Sequence, residues 1–348
     1  MNSYIKANSK ISDNHQLFYG VKFQHEIFDD KISEWELLDS AGFSVPQNPS
    51  DEIQLFDVLK AQLSLRSSRY SGYIQDVYAF SKGKDTTIND TSFTSYGLFK
   101  LTYGARAQYW EYNDQFLVSP RAKLSYQPRY YYTRGDSIIR RDAEFRFATG
   151  VYYQPPFYRE LRTFTGDLNP EVRAQQSIHF VLGGHTTFDM WDRPFKFTAE
   201  VYYKILNDIN PYDVNNVRIQ YFAENIAKGY STGADFKING EFIRGIESWA
   251  KLSFLKTAED LENDSFFQYF NSDGEEIVAG FTLNDSIADS VRVEPGFIPR
   301  PADQRVTVGL FFQDEMPRWP SYKVQLSLLF GTGIPYGPPD HDLSLIHI

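Results

Sequence analysis

The sequence predicts an all-β fold, an antiparallel transmembrane β-barrel assembled from about twelve strand-like segments. Three observations carry that expectation. Apolar and polar residues alternate with period two over segments about twice the usual strand length of about 5–6 residues. Lys, Arg and Glu keep to one register of those segments, leaving the other free of charge. The linkers between segments alternate between short and long.

Taken in order, Phe99, Leu101, Tyr103, Ala105, Ala107 and Tyr109 alternate with Lys100, Thr102, Gly104, Arg106 and Gln108. Val118, Ala122, Leu124 and Tyr126 alternate with Ser119, Arg121, Lys123, Ser125 and Gln127. In "RPFKFTAEVYYKIL", Phe195, Phe197, Ala199, Val201, Tyr203 and Ile205 alternate with Lys196, Thr198, Glu200, Tyr202 and Lys204. Val306, Val308, Leu310 and Phe312 form a further register, as do Val324, Leu326, Leu328 and Phe330. Side chains of successive strand residues point to opposite faces, so each segment has one greasy and one wet side. A soluble sandwich would need a second sheet against the greasy side. A wide barrel needs only lipid outside and a polar lumen, and about 9–11 residues cross a tilted wall. A charge on the lipid side would cost roughly 2–4 kcal/mol at the midplane, which accounts for its absence from these registers.

"SDNH", "MWDR", "DEMPRWPS" and "NGEFIRG" read as short turns. Long loops are expected from Asp29 to Ser67, from Gln154 to Gln176 and from Thr257 to Asp303. Short turns on one side and long loops on the other are the pattern of outer-membrane barrels. No repeat of 20–50 residues divides the chain, which reads as one continuous sheet.

Composition narrows the function classes. The net charge of −10 argues against nucleic acid as a partner. The 24 Tyr and 29 Phe suit two-faced strands and interfacial girdles, to which Tyr130–Tyr132, Tyr152–Tyr153, Trp191 and Trp319 are assigned at strand ends. With no Cys, the chain has no disulfide, thiolate metal site or Cys nucleophile. No secretory signal and no apolar run of transmembrane-helix length occur in it. The sequence also lacks a phosphate loop, HExxH and GxSxG, so no enzyme activity and no cofactor are expected.

Three segments go further. "GVYYQPPFYRELR", "GDLNPEVRAQQSIHFVLG" and "ENIAKGYSTGADFKING" resemble TonB-dependent outer-membrane receptors of the Bacteroidetes type. Pro156, Glu160 and Leu161 match the first pattern, in which a strand ends in an aromatic-x-Pro segment leading to Glu-Leu. Asn169, Pro170 and Ser177 match the second, with Val172 in place of Leu and Gln175 in place of Glu. Asn225, Gly229 and Gly233 fit the third. The resemblance spans about His15 to Pro339. It implies a barrel of about 22 strands around an N-terminal plug, driven by the TonB complex through that plug. Such receptors take up metal chelates, cobalamin, oligosaccharides or peptides across the Gram-negative outer membrane, and some carry a surface lipoprotein partner. Outer-membrane lipid and lipopolysaccharide would surround the wall.

No plug or TonB-contacting segment is recognisable, and "DHDLSLIHI" leaves the family pattern. The sequence therefore reads as a partial barrel over residues 1–339 with a non-native tail over 340–348, "LSLIHI" resembling translated sequencing adapter. Alone, such a wall would expose two unpaired edges and is not expected to transport.

Among candidate site residues, Pro155 and Pro156 end a strand, which would place Arg159, Glu160 and Arg162 at the outer mouth. There the guanidinium groups could hold a carboxylate or an anionic chelate, or the charges could merely pair with one another or with lipopolysaccharide phosphate. The acid-rich run Thr257–Val291 reads either as a solvated loop or as an oxygen-ligand Ca²⁺ site, and "FFQYF" within it as a partner surface or a self-packed cluster. His179 and His185 share a strand face at a spacing too wide to chelate. A passive porin or adhesion barrel and a soluble all-β carbohydrate-binding module with aromatic platforms are the competing readings.

Overall fold

The computed structural model describes residues 1–37, 39–40, 43–44, 55–88, 91–134, 137–215, 218–243, 246–278, 281–316 and 318–335. Twelve strands follow one another in chain order across a single thirteen-stranded antiparallel sheet, the thirteenth being the two-residue Ile298–Pro299 beside Ala258 and Glu259. The twelve are β1 (Asn2–Lys10), β2 (His15–Leu37), β3 (Leu55–Ile88), β4 (Thr91–Trp110), β5 (Gln115–Gln127) and β6 (Ala143–Gln154). The second half comprises β7 (Gln175–Met190), β8 (Arg193–Ile209), β9 (Ala227–Ile243), β10 (Ile246–Leu261), β11 (Val306–Met316) and β12 (Trp319–Gly331). Along those twelve every neighbour in space is a neighbour in sequence, so the sheet is a meander of hairpins. The predicted all-β antiparallel wall of about twelve strands is the observed one. Among the described residues β1 and β12 each pair on one side only, and the wall is open there.

Register converts the sequence alternation into two chemically distinct surfaces. Tyr78, Leu101, Leu124, Phe147, Leu182, Val201, Ala234, Phe254 and Val306 face one another in a continuous row from β3 to β11. One residue along, the opposite face carries Lys100, Ser125, Arg146, Gly183, Glu200, Asp235, Ser253 and Thr307. On it Arg146 donates to Glu200 at 2.5 Å, and Lys251 lies 3.7 Å from Asp235. Glycine makes room for large side chains here. A Cβ at Gly233 would stand 2.5 Å from the Tyr202 hydroxyl, so that ring lies across a position only Gly can hold.

The apolar face is uncovered. Leu182 is 57% exposed and Val201 45%, and the other sheets among the described residues are two-stranded hairpins. The accessible surface is 23472 Å² for a chain of 40.3 kDa, against roughly 14,500 Å² for a globular monomer of that mass. Only thirteen hydrophobic side chains are buried among the described residues. The missing burial is the band of alternating Leu, Val, Phe and Tyr just traced.

Several expectations are corrected. The loop placed at Asp29–Ser67 is largely strand, since β2 runs on to Leu37 and pairs with β3 from Asp30↔Leu63 to Leu37↔Leu55. A backbone ladder needs no apolar face, so it continues through "DDKISEWE" where the alternation lapses. The loop placed at Thr257–Asp303 begins only after Leu261 and contains its own hairpin, Phe266–Phe270 against Asp289–Val293. Tyr131 and Tyr132 belong to a hairpin, Tyr131–Arg134 with Ser137–Arg140, rather than to the end of β5. The alternation of linker lengths has two exceptions: the four-residue Glu111–Asp114 connection on the long side and the 128–142 connection on the short side. "MWDR" is a two-residue turn, with Trp191 and Asp192 at φ of 56° and 58°, the backbone sense that matches strand twist. The tail 340–348 lies outside the described residues.

Candidate functional site

A cluster of buried apolar side chains gathers where loop 155–174 meets the polar face. Leu65 of β3 and Trp110 of β4 stand on that face and pack with Leu161, Val172 and Ala223 from the loops. The loop therefore folds inward over the polar surface rather than away from the wall. Pro156 stops the ladder after β6, and its carbonyl accepts from Arg69 at 3.2 Å. Arg69 also lies over the Trp110 ring at 4.7 Å, while the indole N–H donates to Ser67 at 2.6 Å.

A short 3₁₀ turn, Tyr158–Leu161, follows. The Phe157 N–H donates to the Glu160 carboxylate at 2.9 Å, and the Glu160 carbonyl accepts from Asn210 at 2.7 Å. Glu160 is 6% exposed. Burial pushes its pKa above the usual carboxylate range, opposed by the Phe157 N–H and the neighbouring Arg159. Arg162 pairs with Asp30 of β2 and lies 4.9 Å from the Tyr158 ring centroid. Tyr158 also donates to Asp30 and stacks on Phe28 at 3.6 Å.

The remaining family-like residues are staples. Asn169 donates to the Ala223 carbonyl at 2.9 Å, and its own N–H donates to Leu161 at 2.7 Å. Asn225 accepts from the Arg173 N–H at 2.6 Å and donates to the Asp208 carbonyl at 2.7 Å. The Asn169–Ala223 and Arg173–Asn225 bonds tie one long loop to another over more than fifty residues of sequence. Loop 262–305 returns over the same face, with Asp303 accepting the Thr257 N–H at 2.7 Å and Arg300 paired to Glu259 at 2.8 Å.

Of the three predicted mouth residues, Arg159 is exposed, Arg162 is half-buried in an ion pair, and Glu160 is turned inward. Arg159 and Arg162 line a cleft of about 430 Å³ together with Glu34, Leu59, Phe164 and Tyr221; Glu160 is not part of it. Sequence reasoning missed Asp30, Tyr158 and Asn210 as members of this assembly, and singled out Asn225 only as part of a family-like segment. Tyr158 and Asn210 stand beside Pro and turn residues, a weak signal; Asp30, inside a long strand, had none.

The acids of the Thr257–Val291 run have separate partners: Glu259 with Arg300, Asp260 with Lys228 at 3.3 Å, Glu276 with Gln268. Among the described residues no group of three His, Asp or Glu side chains could hold a metal ion. His185 lies 3.1 Å from Asp142, and His179 stacks on Tyr152 at 4.2 Å.

No family model matches the chain, and no curated protein does. Among solved structures it is similar to the RagAB peptide transporter and to the RagAB peptide importer in its closed-closed state. Each comparison gives 10% identity and a TM-score of 0.48, covering 95% of this chain and 40% of the other. The chain thus spans about 40% of the length of the solved chains it resembles.

Proposed function

We propose that this chain is part of the wall of an outer-membrane active-transport receptor of the TonB-dependent type. The observation that carries the reading is the uncovered apolar band running from β3 to β11, opposite a face crowded with Arg, Lys, Glu and Asp. In water that band would be a severe liability; against lipid tails it is the ordinary outer surface of a barrel. The backbone groups at the edges of β1 and β12 find no partner in lipid, so further strands complete the wall. Loops 155–174 and 262–305, folded over the polar face, would gate a lumen and set its selectivity. Arg159 and Arg162 remain the proposed ligand-facing residues of the mouth, with Glu160 as the brace behind them. The cargo is a scarce nutrient, the energy comes from TonB through a plug, and a surface lipoprotein caps the receptor.

Cell fractionation and uptake test this. The protein should sediment with outer membranes and resist extraction by alkaline carbonate, whereas a soluble carbohydrate-binding module would stay in the aqueous phase. Uptake by the complete receptor containing this wall should cease when the inner membrane is de-energised; flow unaffected by de-energising would identify a passive porin.

A further inference from the structure

On the polar face, two cavities of about 390 and 360 Å³ share Tyr152. Arg106, Arg121 and Lys123 line the first; His179 and Arg300 line the second; neither is lined by a carboxylate, although Lys123 is paired with Glu144 at 3.9 Å and Arg300 with Glu259 at 2.8 Å from outside the cavities. That is unusual in a chain of net charge −10. It also contrasts with the mouth cleft, where Glu34 accompanies the two arginines.

The register explains the assembly. Arg121 of β5, Gly150 of β6, His179 of β7 and Lys204 of β8 stand side by side in one row. Gly150 is the space beneath the arginine, since a Cβ there would lie 2.9 Å from the Arg121 Cγ. Two residues along β6, Tyr152 takes the Arg121 guanidinium on its ring at 4.1 Å and stacks on His179 at 4.2 Å. The aromatic ring thus holds the guanidinium in place while leaving its N–H groups undirected. Arg121 makes no ion pair among the described residues. A separate observation points the same way: the Ser177 hydroxyl, which lines the second cavity, is buried without a hydrogen-bond partner. A buried hydroxyl without a protein partner is left to be satisfied by water or by a ligand.

We propose that the groove around Tyr152 binds an anionic ligand bearing carboxylate or phosphate groups, with Arg121 as its principal contact. Arg106 and Lys204 supply the surrounding positive field, Ser177 a further hydrogen bond, and Tyr152 the platform. This inference rests on the transport reading for its meaning, because the groove lies on the face assigned to the lumen, and it makes the cargo an anion.

The test is calorimetric titration of the folded protein in detergent with citrate, with inorganic phosphate, and with maltose as a neutral control. Citrate or phosphate should bind and maltose should not; the tighter of the two anions identifies the ligand's acidic group. Arg121→Ala should weaken anion binding by about tenfold or more, and Ser177→Ala by less, with heat-modifiability on gels unchanged. Arg121→Lys should restore part of the affinity. Wild-type protein that is folded and membrane-inserted yet binds neither anion, or an Arg121→Ala variant that binds them undiminished, would overturn the assignment while leaving the transport reading intact. Anion binding by protein that never enters membranes would do the reverse.

Discussion

His15 Nδ1 lies 2.7 Å from an Asp76 carboxylate oxygen on the face of the sheet that otherwise presents Leu17, Tyr19, Ile74 and Tyr78. The same oxygen accepts from the Tyr103 hydroxyl at 3.1 Å, and His15 stacks on Tyr78 at 4.5 Å. This is an ionisable pair in the apolar register, where charge is costly in lipid and survives when partnered. His15→Ala should therefore lower the fraction that folds into vesicles several-fold. The double variant His15→Leu, Asp76→Leu should recover it, because a matched apolar pair leaves no orphaned carboxylate. Gel mobility with and without heating reads the folded fraction.

The two faces should differ in their tolerance of charge. Leu182 and Gly183 are sequence neighbours on opposite surfaces of β7. Leu182→Arg should destabilise the inserted protein by about 2–4 kcal/mol if it sits near the midplane. Val181→Arg, on the polar face beside Tyr202, should cost less than half as much. Urea unfolding in vesicles measures both.

Glu160 gives the inward-folded loop a pH dependence. Its pKa is raised by burial, so the folded loop holds the proton more tightly than the unfolded chain does. The stability this contributes is complete below the ordinary carboxylate range and is lost as pH rises through the raised value. Hydrogen-exchange protection factors of loop 155–174, taken relative to the intrinsic exchange rate at each pH, should fall as pH rises above the ordinary carboxylate range. Glu160→Gln should flatten that profile while keeping the bond from Phe157.

Arg162 and Asp30 should be coupled through the loop rather than the sheet. Arg162→Ala removes a half-buried pair and the packing over Tyr158, a loss of about 1 kcal/mol for a partly screened contact. Trypsin or chymotrypsin should cut the loop faster, with strand protection unchanged. Gly233→Val should act on the sheet instead, displacing Tyr202 and costing about 1–3 kcal/mol by overpacking.

How much of this was legible depends on what each segment asks of its side chains. β4, β5, β8, β11 and β12 were readable because each must present one face to apolar surroundings and one to water, which writes period two into the sequence. The outer stretch of β2, with Asp29, Asp30, Lys31, Glu34 and Glu36, was read as loop because its ladder is held by backbone alone. The site was legible in position but not in roles. Arg159, Glu160 and Arg162 do lie where β6 ends, but the inward turn of Glu160 depends on Asn210, and the pairing of Arg162 on Asp30 spans 132 residues. Contacts of that separation leave no periodic trace in one chain.

The central claim is that the apolar face lies against lipid, and the absence of Cys makes it directly measurable. Single cysteines placed successively from Lys196 to Ile205 of β8 can carry nitroxide labels in reconstituted vesicles. Collision with dissolved oxygen and with a water-soluble nickel complex should then alternate with period two. Positions 197, 199, 201, 203 and 205 should favour oxygen, and 196, 198, 200, 202 and 204 the nickel complex. Equal nickel access on both faces, or labels at 197–205 shielded from oxygen and nickel alike, would contradict the account.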